Sequence, residues 1–556
     1  MAIERFPQKP VERPTTTIVS DTSAITGAST GSDKILMLIG EAEGGQPNQV
    51  YKVRNYIQAK KIFRGGELLD AMELAWNPAN ETQGAGDILA MRVENATNAT
   101  FKQGPVTFES KLYGDEANQI NVELAEAGAG DGRNLTVTGP GGYRNVYYDL
   151  GHIFSVTFEG EGEASIEVAD NKVIVTHDGK AVTLIAEQLP KVNQVVNQIN
   201  QIKGFKATMP ARSNKNIDTA DLDDLALTVV GEEPVKVTGL IADLKLQLQY
   251  DEMVTISVDG AGAVEDFNKP LEGGSNGEVP VSWADKFSHF ANEGGYYLVP
   301  LTDSPAVHAE GTYFVNERSN QGEPMRMISG AGIQDNGEGE TADALLNRAS
   351  ALRDSRAYLV GFAGEATMGD GQVKGIPGYM FAAQVAGIAS GLDIGESITF
   401  KQINISNVKP IFEGSELDAL NNGGIIMAEF VRNRLSTKFR LVDDVSTYND
   451  KTDPVRSQLA VGEAHDFLAS ELKIHLDENF IGSRTEILSP SILKNSIQSF
   501  LDQKKRDREI QDYDPQEVQV VIDGEVAEVS LVVFPMRSLK RINVSLIYKQ
   551  QVLTSY

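Results

Sequence analysis

Short runs in which almost every residue is apolar recur along this chain, alternating with stretches whose apolar residues return every three or four positions. Lys34 to Ile39 and Ile88 to Val93 are of the first kind and predict buried strands. Tyr56 to Ala75 is of the second kind and predicts an amphipathic helical region, interrupted at Arg64-Gly65-Gly66. From Tyr296 the two kinds interleave. Tyr296 to Leu301 reads as a strand, a helix follows Ser304-Pro305, Met325 to Ser329 is a second strand, a helix runs through Ala344, Leu345 and Leu352, and Ala357 to Phe362 is a third strand. This βαβαβ order predicts a largely parallel sheet covered by helices.

Between about Val106 and Gly260 the period shifts to two, with short alternating segments such as Phe154 to Phe158 and Lys172 to Thr176 separated by glycine-rich turns. One helix interrupts this block from about Pro190 to Ile202, with Val192, Val195, Val196, Ile199 and Ile202 on one face. Further helices are expected from about Gly378 to Ser390, from about Ser457 to Glu478, and from Ser489-Pro490, where an N-cap and first-turn pair leads into Leu493, Ile497, Phe500 and Leu501. Val518 to Ile522, a turn at Asp523-Gly524 and Val526 to Phe534 predict a hairpin. Two more strand signatures lie near the ends. Thr15, Thr16, Thr17, Ile18 and Val19 form a β-branched run after a leader punctuated by Pro7, Pro10 and Pro14, and Ile542, Val544, Leu546 and Tyr548 alternate with polar residues. Each can close the chain's own sheet or add a strand to another copy, and two such segments on one chain suggest pairing with neighbours.

Composition changes the picture in three ways. A chain of 556 residues exceeds what one hydrophobic core organises and implies three to four domains. Seventy-eight acidic against 50 basic residues give a net charge of −28, which opposes extended contact with nucleic acid phosphates. The absence of cysteine excludes disulfides and thiolate metal sites and fits a cytoplasmic origin, while the start MAIERFPQKP has no apolar signal region and no run is long enough to span a bilayer.

Enzyme-like signals are weak on inspection. Gly27-Ala28-Ser29-Thr30-Gly31 matches a nucleophile-elbow spacing but lacks the preceding buried strand and following helix, and reads as a hinge. Neither a GxGxxG after a strand nor a GxxxxGK[ST] occurs, and Gly128-Ala129-Gly130-Asp131-Gly132 reads as a loop. His152, His177, His289, His308, His465 and His475 show no metal-ligand spacing, and the pairs Asp223-Asp224 and Asp443-Asp444 read as solvated surface in so acidic a chain. No catalytic residue, metal site or cofactor is expected. Lys504, Lys505, Arg506 and Arg508 form a basic cluster near a helix end, where they complement the helix dipole or dock an acidic partner.

Three blocks then carry a resemblance. Phe63-Arg64-Gly65-Gly66-Glu67-Leu68-Leu69-Asp70-Ala71 with Asn77-Pro78, Gly84-Ala85-Gly86-Asp87-Ile88-Leu89-Ala90-Met91-Arg92-Val93, and Lys111-Leu112-Tyr113-Gly114-Asp115-Glu116-Ala117-Asn118-Gln119-Ile120-Asn121-Val122 resemble, in order, the N-terminal region of contractile phage tail sheath proteins. The likeness extends over nearly the whole chain. It implies an α/β and α+β multidomain fold: an N-terminal linking arm and hinge at 1–31, the N-terminal part of a three-layer βαβ core at 32–105, a β-rich inserted outer domain at 106–275, the central α/β core at 276–412, an inner α+β domain at 413–539 and a C-terminal linking strand at 540–556.

The resemblance implies a structural subunit without enzymatic activity. It would form hexameric rings stacked around a tail tube, meet baseplate and tail terminator proteins, contact neither nucleic acid nor the membrane interior, assemble in the host cytoplasm and end in the virion. Contraction would drive the tube through the host envelope for genome delivery. Thr15 to Val19 and Ile542, Val544, Leu546 and Tyr548 would then be linking strands. The hairpin with Val518, Val520, Ile522, Val529, Leu531 and Val533 would receive them, and Lys504, Lys505, Arg506 and Arg508 would face the tube. The sheath of a contractile bacteriocin or related injection device is the alternative within this class, which the sequence does not separate from a phage tail. Two readings from other classes are an α/β enzyme acting on a nucleotide or sugar, favoured by the central alternation, and a receptor-binding protein, favoured by the β-rich block.

Overall fold

The computed structural model describes residues 34–127, 132–210, 217–260, 262–334, 336–432, 437–482, 489–540 and 545. Thr15 to Val19, the Gly27 to Gly31 hinge, most of the Gly128 to Gly132 loop and the Ile542, Val544, Leu546 and Tyr548 positions lie outside these residues. The chain divides into two compact units, one formed by residues within 1–42, 48–94 and 279–556 and the other by 43–47 and 95–278.

The first unit is built on a seven-stranded sheet. Its order is Tyr51–Val53, Ile88–Arg92, Leu36–Gly40, Tyr297–Pro300, Arg326–Gly330, Ala357–Val360 and Ile425–Ile426. All neighbours are parallel except the first pair, in which Tyr51 lies opposite Ala90. Every residue of the Leu36–Gly40, Ile88–Arg92, Tyr297–Pro300, Arg326–Gly330 and Ala357–Val360 strands is buried. That follows from cover on both faces. Leu36 and Leu38 pack with Phe63, Leu68 and Phe381, whereas Met37 and Ile39 pack with Phe287, Val307 and Val315. Period two therefore distributes one apolar run between two helical layers.

The expected helical region at Tyr56 to Ala75 is two helices, Tyr56–Phe63 and Glu67–Trp76. Gly66, at φ 95°, makes the break between them in a conformation that a side chain disfavours. Helix Gly378–Gly391 packs so closely on Glu67–Trp76 that a Cβ on Gly387 would lie 2.3 Å from the Ala75 carbonyl oxygen. Ser304 and Ser489 cap helices Pro305–Asn320 and Pro490–Arg506 as their sequence contexts predict, each accepting a backbone N–H three residues on.

The second unit is antiparallel and has two apolar cores. One gathers Phe108, Val122, Leu135, Leu244 and Leu248 between two sheets. The other gathers Phe154, Ile166, Val175 and Val237 with the inward face of helix Val192–Ile199. Asn118, one of the resemblance residues, donates from its amide to the Gly274 carbonyl at 2.8 Å and accepts the Gly274 N–H at 2.9 Å, closing the loop that follows Tyr113.

Candidate functional site

Helix Leu459–Asn479 joins two environments within the first unit, and its two halves differ in what they bury. Along its first half, acidic side chains face the central sheet. Glu463 takes the Lys34 ammonium at 3.0 Å, the Tyr297 hydroxyl at 2.7 Å and the Gly395 N–H at 3.0 Å. One turn on, Asp466 accepts from Arg326 Nη2 at 2.8 Å, from Arg356 Nη2 at 2.8 Å and from the Tyr296 hydroxyl at 2.9 Å. Burial pushes the Asp466 carboxyl up, but the Arg326 and Arg356 guanidiniums outweigh it and hold it well below the usual carboxylate range. Burial pushes the Tyr358 phenol up to about 12 against the opposing pull of Arg326, to which its oxygen is hydrogen-bonded at 2.8 Å.

Every charge in this network has a partner, and the central ones are almost sealed from water, so the arrangement fixes geometry rather than offering a reactive group. Sequence reasoning did not find it because Lys34 and Glu463, or Arg326 and Asp466, lie far apart along the chain. The only local signal was a charged residue at the start of an otherwise apolar run.

The second half of the helix buries Leu472 and Leu476 against Leu493, Ile497 and Leu501 of helix Pro490–Arg506, closing a small apolar core with Ile510, Tyr513, Val518 and Val533. Val520, Val529 and Leu531 pack against this core, and Ile522 is half-buried. Gln519–Asp523 and Val526–Ser530 form a two-stranded hairpin, with Val520 opposite Val529 and Ile522 opposite Ala527. Among the described residues each of these strands has one unpaired edge. Val521 and Val526 point away from the core and are each more than half exposed. The continuous strand expected from Val526 to Phe534 is instead broken after Ser530, and Val533–Phe534 pairs with Asp512–Tyr513. The inward alternation Val529, Leu531, Val533 survives the break, so the apolar period persists while the backbone partner changes.

Of the basic cluster, Lys504 is held by Glu471 and, at 2.6 Å, by Glu509, while Lys505 pairs with Asp512 at 2.6 Å. Burial pulls the Lys504 ammonium down, but the two carboxylates outweigh it and raise it above its ordinary value. Arg506 and Arg508 are exposed. Asp443-Asp444, expected as solvated surface, is a correction. Asp444 is buried and Asp443 largely so, because both carboxylates receive the Lys540 ammonium, a partner nearly a hundred residues away. Asp223 also has a structural role, accepting the Leu240 N–H at the start of helix Leu240–Leu248. Among the described residues no cluster of three or more His, Asp or Glu side chains is arranged to hold a metal ion, and no helix is long and apolar enough to cross a membrane.

The buried carboxylates of Glu463 and Asp466 are committed to internal cations, and among the described residues the C-terminal hairpin has unpaired backbone edges. No family model matches the chain. Over their full lengths, the chain is 49% identical across 576 residues to the "Putative tail sheath protein" of Enterococcus phage phiEF24C and 43% identical across 593 residues to the tail sheath protein of Staphylococcus phage Twort. The solved sheath tail proteins of Desulfitobacterium hafniense and Listeria innocua share its fold, each with a TM-score of 0.52. They are 14% and 13% identical, covering 92% of this chain and 100% and 94% of their own. The chain belongs to the tail sheath protein family of bacteriophages, and its role is structural.

Proposed function

We propose that the chain is the repeating subunit of a contractile phage tail sheath, assembled in the host cytoplasm as stacked hexameric rings around an inner tube, with a baseplate at one end and a terminator at the other. The hairpin carries the proposal: a two-stranded sheet is marginal alone, and this one has a free edge on either side among the described residues. Thr15 to Val19 and Ile542 to Tyr548, from different neighbours, would add strands there, making a four-stranded sheet from three subunits. Backbone ladders of this kind persist while domain bodies rotate, so the lattice shortens without coming apart. Shortening needs no nucleotide, since an extended lattice held out of its lowest free-energy packing stores the work until it is released. The released work drives the tube through the host envelope.

The domain division that accompanies this function is 1–31 and 540–556 as arms, 32–105 with 276–412 as core, 106–275 as outer insert and 413–539 as the inner domain toward the tube. Lys504 and Lys505 are already paired within the subunit, which leaves Arg506 and Arg508 as the members best able to meet an acidic tube surface. Two experiments test these assignments. Deleting residues 1–20, or truncating after Arg541, leaves a folded monomer that no longer polymerises. Normal tubes from either variant contradict strand exchange. Replacing Arg506 and Arg508 together by Glu weakens tube binding while sparing the fold, and unchanged tube binding and sheath length remove the tube assignment.

A further inference from the structure

Lys34 and Lys540, far apart in sequence, share an arrangement. The Lys34 ammonium is almost fully buried, donating to the Ala389 carbonyl at 2.6 Å and pairing with Glu463 at 3.0 Å, and the Lys34 carbonyl accepts from the Ser390 hydroxyl at 2.5 Å. The Lys540 ammonium is enclosed by the Asp443 and Asp444 carboxylates and donates to the Thr399 hydroxyl at 2.7 Å. Asp444 in turn reaches the start of helix Leu459–Asn479, since its backbone carbonyl accepts the Leu459 N–H at 2.8 Å and its second carboxylate oxygen accepts the Ala460 N–H at 3.4 Å. Glu463, the Lys34 partner, is three residues beyond Ala460, which makes the two neighbours on the helix surface. Two ion-pair clusters formed by lysines about 500 residues apart in sequence therefore converge on one helical turn. The same helix ends in the apolar core that carries the hairpin, through Leu472 and Leu476.

We propose that Lys34 and Lys540 are paired anchors fastening the backbone at these two positions to the Leu459–Glu463 turn, and that this turn couples the two positions and passes a pull on either to the hairpin module. Its use in a sheath rests on the strand-linking reading above, whereas the coupling itself is a property of the single chain. An ion pair suits the task better than an apolar contact. An apolar side chain slides over its neighbours at little cost, but withdrawing the ammonium leaves a buried carboxylate uncompensated, Glu463 at the Lys34 anchor and Asp444 at the partly exposed Lys540 anchor, so the anchor holds until it releases as a unit.

The test is amide hydrogen exchange of the unassembled full-length chain. In Lys540→Met the amides of 459–463 exchange at least about tenfold faster than in the parent, the acceleration extends to 34–40 at the other anchor, and 164–177 of the second unit exchange at the parent rate. Acceleration confined to residues near 540 overturns the coupling, as does equal acceleration throughout the chain. Asp443→Asn removes one of the two carboxylate charges and gives a smaller acceleration at 459–463. Parent-like exchange there overturns the proposal even where the lysine variant fails to fold. Lys540→Arg, which keeps the charge, restores most of the protection. Strand exchange between subunits fails by a different sign, normal polymerisation of the truncated chains, so the two ideas are separable.

Discussion

The central sheet and the C-terminal hairpin are both β-structure in the same unit, and they handle their polar groups in opposite ways. In the sheet, strands such as Leu36–Gly40 and Arg326–Gly330 are hydrogen-bonded on both sides, covered by helices on both faces, and anchored by the charges of Arg326, Arg356 and Asp466. In the hairpin, only one face packs against apolar residues, and among the described residues each strand has an unpaired edge. A sheet that is complete within one chain can be buried and rigid. A two-stranded hairpin is marginal alone and is supported here by a separate core, that of helix Pro490–Arg506.

Breaking the sheet's charge network has the largest expected effect. Asp466→Ala leaves two guanidiniums without their carboxylate in a dry site and costs about 3–5 kcal/mol, read as a lower urea midpoint with the hairpin untouched. Acid probes the same body at another point. His308 is buried in helix Pro305–Asn320, where its Nε2–H donates to the Thr302 carbonyl at 2.8 Å. Burial holds the imidazole down at about 4 against an ordinary 6.5, so the unfolded state takes up a proton that the folded state resists. Its contribution is therefore complete above pH 6.5, is lost as pH falls from 6.5 toward 4, and amounts to roughly 3 kcal/mol. His308→Gln flattens that part of the stability profile, and an unchanged slope assigns it to other groups. Ile497→Val trims the core beneath the hairpin and costs about 1 kcal/mol in the same denaturation measurement. Val521→Thr, on the hairpin's outward face, stays within about 0.5 kcal/mol. A larger loss there would mean that this face is packed within the monomer.

The same contrast explains what could be read from the sequence. The βαβαβ centre was legible because two-sided burial writes unbroken apolar runs, as in Tyr297–Pro300 and Ala357–Val360, and because Ser304-Pro305 and Ser489-Pro490 mark helix starts by local chemistry. The hairpin turn at Asp523-Gly524 was legible for the same local reason. The two-residue Ile425–Ile426 strand was not, being too short to show a period. Nor were the charge clamps, since nothing near Asp443-Asp444 announces Lys540, and nothing near Lys34 announces Glu463. Periodicity reports which residues are buried. It does not report which distant charge accompanies them. Among the resemblance residues, Gly66 and Asn118 turn out to shape turns rather than to perform chemistry, as suits a structural family.

The most direct test of the account is negative-stain electron microscopy of the purified chain at high concentration, beside the form truncated after Arg541. Hollow, helically striated tubes from the full chain, and folded but dispersed particles from the truncated one, are the predicted pair of images. Equal tubes from both would contradict the claim that an incomplete sheet in one subunit is finished by the strand of another.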